Sequence, residues 1–372
     1  MRIVVTAVGL AWWGTLLACP FCGTVEEPLA ARRDAADWVA VAEPDGAAVR
    51  DAAGLVAQPF RLLAPLRGTP PTDPPTARVA GEIVGTALVF ATAGRITALA
   101  ADERLIAHVA TAPDASRSVA ERLAWFATRL EDVDEAIAAD AFAEFGQAPF
   151  AAVREAAGGF DADRLARWIA DPAVDPRRRG FYGLALGMVA ARSPPPAAAA
   201  AEAALTAAIT TDSSDLRAGY DGLLAGLLVA GGPRGLATLV DHGLAEADTR
   251  AGDARHMLAA LRFAWESLAD TLPRERVAAA TARLAGNPAV AADAVIDLAR
   301  YEAWDDLPRV VAAWERFGGD DPLVRRAVAG YLLASPRPAA ARERERLEAE
   351  MPAAWRAARA AAALPVAPRD AP

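Results

Sequence analysis

The feature that most constrains this chain is a helical period that keeps restarting along its C-terminal part. In "SVAERLAWFATRL" the apolar residues Val119, Leu123, Phe126 and Leu130 fall at i, i+4, i+7 and i+11, which is one face of a helix. Further helical segments begin at 134, 175, 215, 253, 287 and 321. These starts are 34 to 41 residues apart with a second helix between most of them, which predicts stacked helical hairpins.

The stretch before this array has a different period. Between 34 and 113, short apolar runs are separated by turn residues, and they predict five strands at 37–43, 58–68, 76–85, 86–92 and 95–100. Five strands in so short a stretch predict a small antiparallel barrel of OB type. OB barrels often bind nucleic acid, but this one lacks the interleaved aromatic and basic residues that such binding uses.

The predicted fold class is therefore α+β and mostly α, with a small antiparallel OB-like β-barrel followed by a HEAT-like α-helical repeat array. The predicted divisions are listed in chain order: signal peptide 1–18, Cys-x-x-Cys segment 19–33, β-domain 34–113, helical repeat domain 116–363 and disordered tail 364–372.

"DPLVRRAVAGYL" resembles the second helix of a HEAT repeat, with Asp321-Pro322 as its cap, Val324 and Ala327 facing the core, and Arg325 bonded to a neighbouring repeat. Five polar residues of the helical region are interpreted as inter-repeat ladders or solvated faces and not as a catalytic set: Asp140, Arg178, Arg217, Arg255 and Arg325. Five tryptophans within apolar stripes are predicted core residues: Trp125, Trp168, Trp265, Trp304 and Trp314.

The N-terminal residues have the pattern of an export signal. Arg2 precedes sixteen residues without a charge, and this run ends at Ala18. Leu16-Leu17-Ala18-Cys19 resembles a bacterial lipobox, which makes Cys19 a candidate lipid attachment site. The protein is thus expected to be exported to the periplasm or cell envelope, with contact to a membrane only through the signal or the lipid.

"CPFC" also permits other interpretations. Cys19 and Cys22 could form a redox pair, although such dithiols normally follow a strand and open a helix. They could also be joined by a disulfide in an oxidising compartment. A zinc site would need four ligands, and the remaining candidates, His108, His242 and His256, are isolated in sequence, so no metal and no cofactor is predicted.

Composition narrows the range of partners. The formal net charge is −9 and all basic residues are arginines, so we expect no nucleic-acid partner. Beyond the first twenty residues no apolar run approaches the roughly 20 residues of a membrane span. The chain contains no G-x-S-x-G, no H-E-x-x-H and no phosphate loop. The sequence therefore predicts a non-enzymatic protein that binds a protein or cell-envelope partner, with thiol–disulfide exchange by "CPFC" as the alternative.

A resemblance covers nearly the whole chain. "ACPFC", "ADWVAVAE", "PFRLLAPLRG", "WFATRLEDVDEAIAADAFAEFGQAPF", "LARWIADP", "GFYGLALG" and "ALRFAWE" together resemble a group of exported proteins of planctomycete type. The resemblance implies export and this architecture, and it supplies no mechanism. The β-domain is also distantly similar to the netrin-type OB module of metalloproteinase inhibitors, which starts at a processed cysteine. That module starts with Cys-x-Cys, however, and its disulfide partners are absent here.

Overall fold

The computed structural model describes residues 26–50, 52–211 and 217–363, and this part of the chain is mostly helical. Its strands, in chain order, are β1 Trp38–Pro44, β2 Val49–Arg50, β3 Val56–Arg67, β4 Thr76–Val79, β5 Ala87–Thr92 and β6 Arg95–Ala100. The α-helices begin with α1 Leu29–Ala35, α2 Glu103–Thr111, α3 Val119–Ala127, α4 Glu135–Gln147 and α5 Phe150–Ala156.

The remaining helices follow in two runs. The first run is α6 Ala162–Ala170, α7 Pro176–Ala190, α8 Pro195–Thr210, α9 Tyr220–Gly231, α10 Pro233–Asp241 and α11 Ala251–Ser267. The second run is α12 Arg274–Leu284, α13 Ala291–Arg300, α14 Leu307–Phe317, α15 Pro322–Ala334, α16 Pro338–Glu350 and α17 Pro352–Ala362.

The chain divides into two compact units after Glu155. Among the described residues, Glu27–Glu155 belong to the first unit, and the residues from Ala156 onward belong to the second. The first unit therefore contains α3 and α4 together with the sheet.

The sheet of the first unit is antiparallel and curled into a half-barrel. Its strand order is β2-β3-β1-β5-β6, and β4 also pairs with β3. The long strand β3 makes the curl possible, because its first half pairs with β2 and β4 while its second half pairs with β1. The register between β1 and β3 shifts twice, after Val39 and after Val41, and such irregularities bend a strand and increase its twist.

Strand β5 shows how the two faces of the sheet are used. Leu88 and Phe90 lie on one face with Leu105 and Val109 of α2 and Ile137 of α4. Ala87 and Val89 lie on the other face, in the interior of the half-barrel, with partners that include Val56, Phe60 and Val79. Successive side chains of a strand point to opposite faces, so the continuous apolar run of β5 supplies both cores.

A buried glutamine of β3 holds the segment that follows β4. The side-chain amide of Gln58 donates to the carbonyl of Ile83 at 2.8 Å and accepts from its backbone N–H at 2.9 Å. The sequence predicts this strand up to residue 85, but β4 ends at Val79, which pairs with the first residue of β3, Val56.

The second unit is a two-layer stack of helices. The odd-numbered helices α7, α9 and α11 pack in succession, as do α13, α15 and α17, and the even-numbered helices pack onto them. Eleven of the fifteen residues of α7 are buried, against two of the thirteen residues of α16. Helix α7 therefore lies in the core of the stack, while α16 buries only a narrow face.

Glycine brings α7 and α9 into backbone contact. The two helices present glycines at the same spacing: Gly180, Gly183 and Gly187 on α7, and Gly219, Gly222 and Gly226 at the start of and along α9. A Cβ atom added at Gly187 would overlap the carbonyl group of Gly226, and one added at Gly226 would overlap the carbonyl group of Gly183. Only residues without a Cβ allow helices to approach this closely.

Most of the predicted elements are confirmed. The helix predicted from 134 is α4, and the helices predicted from 175, 253, 287 and 321 are α7, α11, α13 and α15. The helix predicted from 215 is α9, which begins at Tyr220. Antiparallel strands and a helical array are confirmed in general form. Among the described residues, no helix has both the length and the apolar character needed to cross a membrane.

Candidate functional site

The predicted cysteine site, Cys19 and Cys22, lies outside the described residues. His108 is in α2 of the first unit, while His242 follows α10 and His256 is in α11, both in the second unit. Within the ranges that the structure describes, no group of three or more His, Cys, Asp or Glu side chains could hold a metal ion.

The polar cluster that comes closest to a functional site is a buried histidine–aspartate pair in the first unit. His108 Nε2 lies 2.7 Å from Asp140 Oδ2, and their side chains are 2% and 4% exposed. The other oxygen of Asp140 accepts the backbone N–H of Leu29 at 2.6 Å. Asp140 therefore connects the first residue of α1 and the centre of α2 to α4.

Helix caps fix where these side chains lie. The Asp102 carboxylate accepts the N–H of Leu105 at the start of α2, and the Asp134 carboxylate accepts that of Ala136 at the start of α4. Ser118 and Glu121 form a reciprocal capping box that starts α3. These caps set the register of three short helices, and the register places His108 opposite Asp140.

A buried arginine–glutamate pair lies one turn further along α4. Arg122 of α3 donates to Glu144 Oε2 at 2.7 Å, and Glu144 is 5% exposed. Glu144 Oε1 and Arg122 Nε have no hydrogen-bond partner among the described residues. Burial raises the pKa of Glu144 above its ordinary value; the Arg122 guanidinium opposes this shift, and the negative charge of Asp140 adds to it.

Two aromatic rings pack against the imidazole ring of His108. The ring of His108 lies 5.1 Å from that of Trp125 and 5.8 Å from that of Phe126, measured between centroids. Arg129 covers Trp125, with its guanidinium carbon 3.3 Å from the ring centroid. His108 Nδ1 is buried and has no hydrogen-bond partner within the described part of the chain. A substrate has no access to a ring enclosed in this way, so the observed geometry fits a clamp between helices.

The other polar residues singled out in the sequence do not join this cluster. Arg217 bonds to Asp253 at 3.4 Å, which confirms a ladder contact. Arg255 is exposed, and Arg178 is buried in α7. Asp140 lies neither in a ladder of the array nor on a solvated face, since it is buried against His108.

The prediction for Arg325 is wrong in its partner. Its guanidinium donates to the carbonyl groups of Gly318 and Gly319, which connect α14 to α15 within one hairpin. The last carbonyls of a helix have no intrahelical partner, and this arginine satisfies them locally. The other predictions for this segment are confirmed: Asp321 caps α15, and Val324 and Ala327 are buried.

Arginine–carboxylate pairs form a ladder along the described part of the second unit, and among their arginines sequence reasoning singled out only Arg217. Six such pairs join residues that are 31 to 37 positions apart, which is about one hairpin. They are Arg217–Asp253, Arg234–Glu202, Arg262–Asp297, Arg283–Glu246, Arg337–Asp305 and Arg346–Glu315. The recurrence of this separation was a signal available in the sequence.

Comparison with known proteins finds no match: no protein-family model, no curated protein and no solved structure matches the chain. Its own geometry is therefore the basis for any assignment of function.

The raised pKa of Glu144 predicts a pH effect. When the pH rises above the ordinary pKa of a glutamate, the carboxyl group of Glu144 loses its proton in the unfolded chain but keeps it in the folded protein. Glu144 therefore lowers the free energy of unfolding progressively, until the pH passes the raised pKa of the folded protein. Glu144→Gln lacks this titration. We expect the stability of the variant relative to the parent to be more favourable at about pH 7 than at about pH 4. Denaturant melts of both proteins at the two pH values measure the difference; an advantage that is larger at the acidic pH would contradict the interpretation.

Proposed function

We propose that the protein is an exported cell-envelope protein whose HEAT-like helical array binds a protein or cell-envelope partner. The observation that carries this proposal is the ladder of ion pairs, each of which joins residues about one hairpin apart in sequence. The two-layer packing of α6–α17 agrees with it. Arrays in which each repeat contacts its neighbours present long surfaces, and binding is what they generally provide. The half-barrel is proposed to be an OB-like module attached to this array.

The buried position of the His108–Asp140 pair also supports a binding role. This buried polar cluster holds α1, α2 and α4 together, and two aromatic rings lie against its histidine. Thiol–disulfide exchange by Cys19 and Cys22 remains the alternative from sequence.

Cross-linking tests the binding proposal. A photoreactive residue is placed in turn at Leu323 and Leu333 of the array, which are 53% and 41% exposed, and at Val84 of the first unit, which is 85% exposed, as the matched control. We expect one and the same envelope component to be captured from an array position and not from Val84. Capture from Val84 alone, or no capture from either array position, would count against the array as the binding surface.

Export gives a separate prediction about the N-terminus. We expect the mature protein from its native host to begin at Cys19 and to carry a lipid on its thiol, because Leu16–Ala18 resemble a lipobox. Intact-mass measurement decides this point, and thiol labelling adds a check, since only Cys22 should then react. A mature chain that still contains Trp12 and Trp13 would exclude processing at this position.

A further inference from the structure

Two neighbouring helices of the even layer present arginine and alanine at the same spacing. On α12 these residues are Arg276, Ala279 and Arg283, and on α14 they are Arg309, Ala312 and Arg316. Spacings of three and four place such residues on one face of a helix. All four arginines are exposed, in a protein whose net charge is −9.

A small cleft lies between these two helices. Its cavity measures ≈ 140 Å³, and three arginines line it: Arg283, Arg309 and Arg316. The rest of its lining is small: Ala282 and Gly286 on one side, Ala312 and Ala313 on the other. Pockets for drug-sized ligands measure roughly 300–1,000 Å³. This cleft therefore has room for a single small group.

The arginines of the cleft keep unused donors. Arg283 pairs with Glu246, and Arg309 Nη1 lies 3.2 Å from Asp306 Oδ1. Arg316 is paired with no carboxylate among the described residues: its Nη1 donates to the carbonyl of Gly286 at 3.4 Å, and its guanidinium carbon lies 5.5 Å from the Phe317 ring centroid. Each guanidinium has five N–H donors, so most of them remain available.

The electrostatic balance also favours an anion. Three guanidinium groups face two carboxylates, which leaves one positive charge in excess at the cleft. The carbonyl at Gly286, which would repel an anion, is already covered by Arg316. The planar guanidinium fork matches the oxygens of phosphate-like groups, and hydrogen bonds between ions are roughly twice as strong as neutral ones.

We propose that the cleft between α12 and α14 binds a phosphate-sized oxyanion, with Arg316 as its main contact. The anion is either free in solution or the headgroup of an anionic lipid. This proposal does not depend on the partner proposed for the array.

Calorimetric titration of the full chain with inorganic phosphate, at an ionic strength held constant with chloride, tests the site. We expect a dissociation constant of about 1 mM, weakened about tenfold or more in Arg316→Gln. Arg337→Gln is the matched control, because Arg337 pairs with Asp305 at 3.0 Å and does not line the cleft. Both variants should keep the denaturation midpoint of the parent, since surface pairs contribute little to stability.

Vesicles distinguish the two sources. If the anion is a lipid headgroup, vesicles of phosphatidylglycerol mixed with phosphatidylcholine should bind the parent more strongly than Arg316→Gln, and phosphate should compete. If the anion is free, phosphate binds and these vesicles do not distinguish the two proteins. No phosphate binding beyond that of chloride, or equal loss of binding in Arg316→Gln and Arg337→Gln, would overturn the proposal.

Discussion

Replacing Gly187 by alanine is expected to destabilise the protein by about 3 kcal/mol, the upper part of the usual cost of overpacking. The added Cβ would overlap the backbone of Gly226, and its nearest neighbours are the carbonyl carbon and oxygen and the Cα atom of that residue. Backbone atoms have no alternative rotamer, so α7 and α9 must separate, and the close packing between the two helices would be lost.

Gly330→Ala is the matched control for this prediction. Gly330 also lies inside a helix, α15, and nothing is within 4 Å of the position its Cβ would occupy. Alanine there should stabilise the protein by about 0.5–1 kcal/mol, because it restricts the unfolded chain and favours the helix. Denaturant melts compare both variants with the parent. If the two substitutions shifted stability in the same direction by similar amounts, the close approach of α7 and α9 would be wrong.

Leu261→Ala is expected to cost about 2 to 5 kcal/mol, the usual range for truncating a buried leucine. Leu261 is 0% exposed in the middle of α11, which packs against both α9 and α12. Because each helix of the array is held by its neighbours, a cavity here should weaken the whole second unit and lower the midpoint of its unfolding transition.

Glu348→Arg serves as the comparison for Leu261→Ala. Glu348 is exposed on α16, and exposed substitutions usually change stability by roughly 0.5 kcal/mol or less. Both variants are measured by denaturant melts with the parent. A larger loss at Glu348 than at Leu261 would mean that the buried and exposed faces of the array have been exchanged.

Local patterns were enough to predict most elements. Residues that alternate or repeat at the helical period mark their own structure, which is why β5 and β6 end within one residue of the predicted ranges. The strand predicted at 76–85 is shorter because Val79 pairs with Val56, where β3 begins, so β3 offers no partner to the residues that follow. The point at which a partner strand begins leaves no periodic trace in the segment that would pair with it.

Contacts between distant residues were less predictable. His108 and Asp140 are 32 positions apart, and nothing in either segment specifies the pairing. The tryptophans show a similar limit: Trp314 is buried as predicted, whereas Trp265 is half-buried and stacks on Tyr301 with centroids 3.9 Å apart. A helical stripe identifies the apolar face, but the neighbouring helix decides how deeply each ring is covered.

The ladder of ion pairs has a consequence for how such a chain can change its length during evolution. Each pair joins groups that are 31 to 37 positions apart, so duplicating one whole hairpin would add a new pair and leave the existing pairs in phase. Inserting a few residues inside a helix would instead change the separation of every pair that spans the insertion and rotate its two groups out of phase. We expect homologous chains to differ in length by whole hairpins or within the connecting loops, and seldom within the helices themselves.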